Sequence, residues 1–343
     1  MEEAPPWETK REVVAKTEGD TDPNRGCRPD SRPLSLHRQF GIINLDKPPG
    51  PSSHEVVAWV KRMLKLNHAG HGGTLDPKVT GVLPLALEDA TKLVQAFLLS
   101  GKEYVCLMQL HSKVPEEKLR HVFQEFIGEI YQRPPLRSSV KRDVRKRKIY
   151  KIDLLEIVDN QVLFKVSCQA GTYVRKLCFD IGEALGCGAH MKELRRTRAG
   201  PFTENEKSYT LYDLLHAHTF HEESGDETKI REVIRPMEEA LEYIPKIYIR
   251  DSAVDAICHG ADLAIPGIVK LDSKIKPRMS VGLFTLKNEV VALAKALMST
   301  EQIIEQERGL AAKTLRVIMP IGTYPRLWKE KQTHPASPSK SSN

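Results

Sequence analysis

Residues 70–84, GHGGTLDPKVTGVLP, hold the densest group of residue types that could take part in chemistry. Four glycines and two prolines in these fifteen residues exclude a regular helix or a central strand and predict a loop with sharp turns. The loop contains one carboxylate, Asp76. As an N-cap followed by Pro77, Asp76 could simply begin a helix. The alternative is a fixed, exposed carboxylate suited to nucleophilic catalysis, which the glycines would let a substrate approach closely.

Arg175 and Tyr104 are two further candidates, each with an ordinary alternative. Arg175 lies in the segment AGTYVRKL, in the first turn of a predicted helix. It is either a solvated surface arginine or the partner of a carboxylate, whose pKa it would lower and which it would thereby keep ionised. Tyr104, in the sequence KEY, is either a strand aromatic or a tyrosine that stacks on a base and relays a proton beside the carboxylate.

A basic run between residues 133 and 151 indicates the kind of partner. It holds nine lysines and arginines against one aspartate, which exceeds the net charge of +7 of the whole chain and leaves the remainder near neutral. Such a run is either a solvated face or a segment that binds nucleic-acid phosphates, and the local excess favours phosphates. The predicted RNA-binding residues are Lys141, Arg142, Arg145, Lys146, Arg147 and Lys148. A second basic group, MKELRRTR, surrounds Leu194.

The composition excludes several other classes of protein. The 343 residues are 40% hydrophobic, enough for substantial cores, and no run approaches the roughly 20 apolar residues of a membrane span. No secretory signal is visible, and six scattered cysteines without a Cys-x-x-Cys pattern indicate a reducing, cytosol-like compartment. The motifs HExxH, GxxxxGK[ST] and GxGxxG are absent. No metal site is expected, because the ligand-like side chains of one polar segment lack supporting strands or cysteines: His216, His218, His221 and Glu222.

Predicted helices and strands surround these segments and must position them. Three helices are predicted at 52–64, 115–127 and 173–185; Ser52 and Glu55 form a capping box before the first, and glycines follow the other two. Strands are predicted at 104–110, 149–158 and 162–168. Because helices and strands interleave irregularly, the sequence predicts an α+β fold with a mixed or antiparallel sheet.

The chain is expected to divide into four parts. Residues 1–35 read as a poorly ordered arm, 36–245 as the α+β domain, 246–328 as a small, mostly β domain and 329–343 as a polar tail. The polar segment 217–235 is expected to be a surface connector. Within the small domain, strands are predicted at 246–249, 263–268, 281–286, 290–297 and 314–319.

Taken together, these segments resemble the TruB and dyskerin family of pseudouridine synthases. The order of motifs is INLDKPPGPSSHEVV, GHGGTLDP with TGVLPLAL, KEY, GTYVRKL and LRRTRAGPF, over residues 39–202. The later segments KIYIRDSAVDAICHGADLAIPGI and VIMPIGTYPRLW resemble the PUA domain of dyskerin. The segment PPLRSSVKRDVRKRKIY is more similar to dyskerin and its archaeal counterparts than to bacterial TruB, and the short tail favours an archaeal-type protein.

The resemblance implies an RNA uridine-to-pseudouridine isomerase that needs no cofactor. The nucleophile of the family falls on Asp76, its active-site tyrosine on Tyr104 and its carboxylate-pairing arginine on Arg175. The implied fold is a pseudouridine synthase catalytic domain followed by a PUA domain. The implied partners are tRNA, rRNA, H/ACA guide RNA and the small proteins of the H/ACA particle, without a membrane.

Three more residues are implied to bind the substrate. His71 matches the histidine that helps to position the flipped nucleotide, Leu194 matches an apolar wall under the base, and Lys47 belongs to a motif beside the active site. Two rival functions remain open: a non-catalytic RNA-binding scaffold, and an N-glycosidase that would release free uracil. Two modes also remain open for an isomerase, namely action alone on the T-loop uridine of tRNA and action within a guide-RNA particle.

Overall fold

The computed structural model describes residues 5–133 and 143–326, which form two units by their internal contacts. The first unit contains the described residues up to Lys10 together with Pro29–Ile244. The second contains Arg11–Arg28 together with the described residues from Pro245 onwards. Each unit has its own β-sheet and its own hydrophobic core.

Strands and helices alternate irregularly along the described part of the chain. The strands are β1 Val13–Ala15, β2 Gly41–Lys47, β3 Ala69–His71, β4 Thr80–Leu87, β5 Lys102–Leu110, β6 Gly128–Gln132, β7 Arg145–Val158, β8 Gln161–Cys168, β9 Ala189–Ala199, β10 Phe202–Thr203, β11 Arg235–Pro236, β12 Lys246–Ile249, β13 Leu263–Ala264, β14 Ile268–Asp272, β15 Ser280–Thr285, β16 Val290–Ala296 and β17 Leu310–Val317. The α-helices are α1 Leu34–Gln39, α2 Ser53–Met63, α3 Val94–Leu99, α4 Glu116–Glu125, α5 Val174–Leu185, α6 Leu211–Ser224, α7 Thr228–Val233, α8 Asp251–Cys258 and α9 Thr300–Glu305. Short 3-10 helices lie at Pro6–Glu8, Pro29–Ser31, Glu88–Leu93, Met237–Leu241 and Ile265–Gly267.

The first unit is built on a ten-stranded sheet. Its strand order is β11-β2-β4-β9-β5-β8-β7-β6, with β3 beside β4 and β10 beside β9. Neighbouring strands are antiparallel except for β4 and β9, which run parallel. Helices α4 and α5 cover one part of the sheet, and α2, α6 and α7 cover the other. Tyr104 and Leu194 contact both of the resulting cores and so lie at their junction. The predicted α+β class with a mixed sheet is confirmed.

Local sequence signals fix the ends of the helices near this junction. At the start of α2, the Ser52 hydroxyl accepts the backbone N–H of Glu55 at 3.2 Å, and the Glu55 carboxylate accepts that of Ser52 at 2.7 Å. Helix α5 ends at Leu185 because Gly186 takes the left-handed conformation, with φ of 73°. The three predicted helices are confirmed as α2, α4 and α5, and the three predicted strands as β5, β7 and β8.

The second unit is a seven-stranded sheet on which α8 and α9 pack. Its order is β1-β14-β12-β15-β16-β17-β13, antiparallel except for β12 and β15. The prediction of a single strand over 263–268 is wrong. Strand β13 ends at Ala264 because Pro266, which has no N–H for a ladder, lies in the 3-10 helix Ile265–Gly267. The other four predicted strands correspond to β12, β15, β16 and β17.

The prediction of a poorly ordered arm does not match the structure over residues 5–35, which form specific contacts. In the second unit, β1 pairs antiparallel with β14. In the first unit, the guanidinium of Arg32, which is 5% exposed, donates two hydrogen bonds to the Glu238 carboxylate at 2.7 and 3.0 Å. These contacts join residues that are far apart in the sequence and leave no local periodicity, so the sequence pattern did not reveal them.

The prediction of a surface connector at 217–235 is also wrong. This segment contains the second half of α6 and the whole of α7. Ala217, Ile230 and Val233 are buried in one core with α2. The apolar residues of α6 are too few to form a clean stripe, so its amphipathic character is weak in the sequence.

Candidate active site

Asp76 lies on the loop between β3 and β4, and its carboxylate is paired with the guanidinium of Arg175. The two side chains are 53% and 54% exposed, so solvent and a substrate can reach both. The helix-cap interpretation of Asp76 is wrong. The residues after it form a turn closed by the Val79 N–H, which donates to the Asp76 carbonyl at 3.0 Å, and β4 begins at Thr80.

We call residues 72–79 of this loop the catalytic loop. Two side chains hydrogen-bond its backbone. Ser53, in the first turn of α2, donates its hydroxyl to the Leu75 carbonyl at 3.1 Å and accepts the Leu75 N–H at 2.9 Å. The Lys47 ammonium donates to the carbonyls of Pro48, Pro77 and Val79 at 2.9 to 3.0 Å.

The structure corrects the expectation that Lys47 binds the substrate. Its side chain is fully buried, and all three ammonium protons are donated to backbone carbonyls. No donor is left for a nucleotide. Lys47 instead fixes the course of the chain on the carboxyl side of Asp76.

Arg175 is held in place by contacts to the backbone just before it. The buried amide of Gln132, at the end of β6, donates to the Tyr173 carbonyl at 3.1 Å and accepts the Tyr173 N–H at 2.9 Å. Arg147 of β7 donates to the carbonyl of Gly171 at 3.1 Å. These contacts fix the first turn of α5, from which the Arg175 side chain reaches Asp76.

Tyr104 hydrogen-bonds Arg196, which in turn holds the loop that carries Asp76. Burial raises the pKa of Tyr104, so the phenol remains neutral at physiological pH. Arg196, 1% exposed, donates to the carbonyls of Val82 at 2.6 Å and Gly73 at 3.0 Å. It therefore ties β9 to β4 and to the catalytic loop. The sequence reasoning missed Arg196 as a site residue, although the basic group around Leu194 was the available signal.

His71 and Leu194 are the other two residues that were predicted to contact the substrate. The Nδ1 atom of His71 accepts the Gly73 N–H at 3.3 Å, and its ring lies 5.1 Å from that of His54 in an edge-to-face arrangement. Burial, helped by the charges of His54 and Arg196, lowers the pKa of His71 to about 4. His71 is therefore neutral at physiological pH, with its proton on Nε2. Leu194 lies opposite Cys106 on β5 and provides an apolar surface.

The predicted basic segment falls only partly within the described residues. Lys141 and Arg142 lie outside them. The residues from Arg145 to Lys148 form the start of β7, where Lys146 pairs with Glu129 at 2.6 Å. The structure thus places these cations on an ordered strand, one of whose members, Arg147, supports the chain before Arg175.

The described residues contain neither a metal-binding group of side chains nor a membrane-spanning helix. Among them, no group of three or more His, Cys, Asp and Glu side chains is placed to hold a metal ion. Within the same residues, no helix has the length and apolarity required to cross a membrane.

The geometry combines an accessible carboxylate, a guanidinium beside it, and a neutral phenol and apolar surface next to them. A carboxylate held in this way is suited to nucleophilic attack or proton abstraction. The aromatic and apolar side chains Tyr104 and Leu194 suit a planar base that has left its stack. The structure thus pairs Asp76 with Arg175, and it links Tyr104 to the same loop through Arg196 and His71 to it through Gly73.

Models of four protein-family domains match most of the chain. Residues 61–117 and 111–174 match the N-terminal domain of the TruB family pseudouridylate synthases, and residues 175–242 match the C-terminal domain of tRNA pseudouridylate synthase B. The remaining matches are the PUA domain over residues 245–318 and the DKCLD (NUC011) domain over residues 4–57.

Relatives resemble the chain along nearly its whole length. A protein of Thermococcus kodakarensis named "Probable tRNA pseudouridine synthase B" is 59% identical over 328 residues, which cover 95% of this chain and 97% of that protein. A protein of the same name from Methanopyrus kandleri is 58% identical over 323 residues, 94% of this chain and 95% of that protein.

Two solved structures contain a chain of the same fold. In the "Crystal Structure of a Cbf5-Nop10-Gar1 Complex", the matching chain is 57% identical with a TM-score of 0.90, covering 94% of this chain and 98% of that one. In the "Structure of H/ACA RNP bound to a substrate RNA containing 2'-deoxyuridine", it is 54% identical with a TM-score of 0.88, covering 94% and 99%.

Proposed function

The chain belongs to the TruB family of pseudouridine synthases, and from this we propose that Asp76 is the nucleophile with which it isomerises uridine in RNA. The observation that carries the proposal is the half-exposed ion pair of Asp76 with Arg175, on a loop that is also held by Arg196, the hydrogen-bond partner of Tyr104. Arg175 pairs with the carboxylate and orients it, Tyr104 and Leu194 receive the flipped base, and His71 contributes a neutral N–H donor beside it.

The reaction moves atoms within one nucleotide. The N-glycosidic bond of uridine breaks, the uracil ring turns, and a bond forms between C5 and C1′ while C5 loses its proton. Three routes begin at Asp76: attack on C1′, attack on C6, or removal of the 2′ proton to give a glycal. In all three, the negative charge that starts on the Asp76 carboxylate passes to the base. Since substrate and product have the same atoms, no redox cofactor or group acceptor takes part.

The substrate class follows from the relatives and the charge distribution. Relatives of 58–59% identity are named tRNA pseudouridine synthases, and a matching chain occurs in an H/ACA RNP with a substrate RNA. We therefore propose two substrates for this chain, the T-loop uridine of tRNA and uridines of rRNA selected by a guide RNA. In the second mode it would assemble with small proteins of the kind named Nop10 and Gar1.

We further propose that the protein works in the cytoplasm. The described residues include all six cysteines; none of them is in a disulfide and four are buried, which suits a reducing compartment. Mass spectrometry of alkylated protein purified from cells without reductant tests this, since a disulfide would contradict it.

Release of tritium from 5-labelled uridine in RNA tests the nucleophile. Asp76→Asn keeps the size of the side chain but removes its charge, so we expect single-turnover isomerisation to fall by about 10³-fold or more. RNA binding should persist, because the half-exposed carboxylate adds little to the fold. Turnover near the wild-type rate in Asp76→Asn would refute the assignment.

Two controls complete this experiment. Asp180→Asn removes another aspartate of the same unit that is paired with a cation, Lys176, and should leave the rate unchanged. The base must also stay attached to the RNA. Free uracil among the products would identify an N-glycosidase, and normal RNA binding without any tritium release by the wild type would identify a non-catalytic scaffold.

A further inference from the structure

Three cations of the first unit are buried to an unusual degree. The exposed fractions of Lys47, Lys102 and Arg196 are 0%, 4% and 1%. Lysine and arginine are almost never fully buried unless they are paired with an anion. We call these three residues the cation cluster.

The three side chains converge behind the catalytic loop. A Cβ atom placed on Gly73 would lie 3.6 Å from Arg196 Nη1 and 3.6 Å from Lys102 Cε, so both cations reach the back of this residue. Lys47 holds the other end of the loop through the carbonyls of Pro77 and Val79. Asp76 lies between these two points of contact.

The cluster is satisfied by neutral acceptors. The Lys102 ammonium donates to the carbonyls of Phe97, Leu98 and Ser100 at 2.6 to 3.2 Å, and also to the Ser100 hydroxyl at 3.3 Å. Lys47 and Arg196 likewise donate to backbone carbonyls. Over the described part of the chain, no ion pair joins any of the three to a carboxylate, and the charge of Asp76 acts on Lys47.

The cluster therefore creates a positive potential next to the loop that carries Asp76. Buried charges in a fixed position act strongly because little water screens them, and they need no reorganisation when charge moves nearby. On each of the three routes open to Asp76, negative charge leaves this carboxylate and appears on the uracil ring. We propose that the cation cluster stabilises the uracil anion that forms during the reaction, and that Lys102 is the member that can be replaced without releasing the backbone of the catalytic loop. This proposal rests on the proposed function of Asp76.

Lys102 is the best probe because its ammonium donates no hydrogen bond to the catalytic loop. It donates to backbone carbonyls at the carboxyl end of α3, whereas Lys47 and Arg196 donate to the backbone of the catalytic loop itself. Burial, followed by the charge of Arg196, lowers the pKa of Lys102 to about 7. The other titratable group facing it is Cys168 on β8, whose pKa burial raises to about 12, so Cys168 stays neutral over the same range.

The first experiment compares Lys102→Met with Lys102→Arg in single-turnover assays on a substrate RNA at pH 6.5. We expect Lys102→Met to lower the rate by about 10- to 100-fold, less than the loss of a donor that touches the anion, with RNA affinity unchanged. Lys102→Arg keeps the charge and should restore most of the rate. The control is Lys118→Met, which removes a lysine that donates to the Leu185 carbonyl at the far end of α5.

The pH dependence of the wild type gives a second measurement that needs no destabilising variant. As the pH rises through about 7, Lys102 loses its proton and the rate should fall, because the cluster then carries one charge fewer. In Lys102→Arg this fall should be absent, since a guanidinium stays charged. Parallel profiles of the wild type and Lys102→Arg would overturn the proposal.

A substrate with 5-fluorouridine at the target position separates electrostatic stabilisation from a structural role. Fluorine stabilises the uracil anion, so loss of a cation should matter less, and the rate deficit of Lys102→Met should shrink several-fold. Because C5 carries fluorine in place of the proton, the final deprotonation cannot occur, so liquid chromatography and mass spectrometry of the digested RNA measure the disappearance of 5-fluorouridine. An equal deficit on both substrates would show that Lys102 acts only through the structure, and would leave the role of Asp76 intact. Full activity of Asp76→Asn would instead remove the proposed function itself.

Discussion

The pair of Asp76 and Arg175 serves orientation rather than the stability of the fold. Both side chains are about half exposed, and exposed ion pairs contribute a median of about 0–1 kcal/mol. The planar guanidinium restricts the orientation of the carboxylate with which it pairs. A lysine ammonium at position 175 would keep the charge but would not impose this geometry.

Arg175→Lys should therefore separate charge from geometry. We expect the single-turnover rate to fall by about 10²-fold, as in the misplacement of a catalytic group by 1 Å, while RNA affinity and the urea midpoint stay near their wild-type values. Arg120→Lys, in an exposed pair with Glu116 on α4, is the matched control and should change none of the three. A wild-type rate in Arg175→Lys would mean that a point charge beside Asp76 is sufficient.

At the scale of the elements, the parallel contact between β4 and β9 places Arg196 behind the catalytic loop. Gly81 is paired with Arg196 in this register, with φ of +101°. A Cβ atom on Gly81 would lie 2.2 Å from the carbonyl oxygen of Arg196, closer than non-bonded atoms approach. Only glycine lets the two strands come this close.

Gly81→Ala should move Arg196 and weaken the sheet together. We expect a loss of about 2–4 kcal/mol in the free energy of unfolding, measured in urea, and a lower isomerisation rate in the molecules that remain folded. Gly50→Ala is the control, since Gly50 also has a positive φ, +109°, but nothing lies within 4 Å of the added Cβ. Equal losses in the two variants would assign the effect to φ alone and not to the close approach of the strands.

The same elements show which features the sequence could predict. The capping box at Ser52 and the glycine at Gly186 are local signals, so α2 and α5 were predicted with nearly correct ends. Asp76, Tyr104 and Arg175 could be selected from their motifs, and the structure pairs Asp76 with Arg175. Their roles stay predictions.

What the sequence could not predict depends on long-range pairing. Nothing local in LRRTR distinguishes the buried Arg196 from the partly exposed Arg195, because burial follows from the register of β9 against β4. Strand β1 likewise pairs with β14, more than 250 residues further along the chain. The burial of Lys47 follows from three carbonyls that meet only in the folded loop.

At the scale of the whole molecule, the net charge of +7 favours RNA, and β7 begins with four consecutive cations, Arg145 to Lys148. Its cations also make contacts within the protein. Lys146 pairs with Glu129, and Arg147 supports the Gly171 carbonyl ahead of Arg175. A test of RNA binding should leave these two unchanged, so that the active site keeps its shape.

The double variant Arg145→Gln with Lys148→Gln removes two charges from the same strand. We expect weaker RNA binding and a plot of log affinity against log salt whose slope is shallower by about 0.7 for each phosphate of a single strand that is no longer neutralised. Fluorescence anisotropy over a range of salt concentrations measures the slope. The double variant Lys113→Gln with Arg120→Gln removes the same charge from exposed positions of the same unit and should leave the slope unchanged. If both double variants gave the wild-type slope, β7 would not bind phosphates, and the excess charge of this strand would act only as a solvated face.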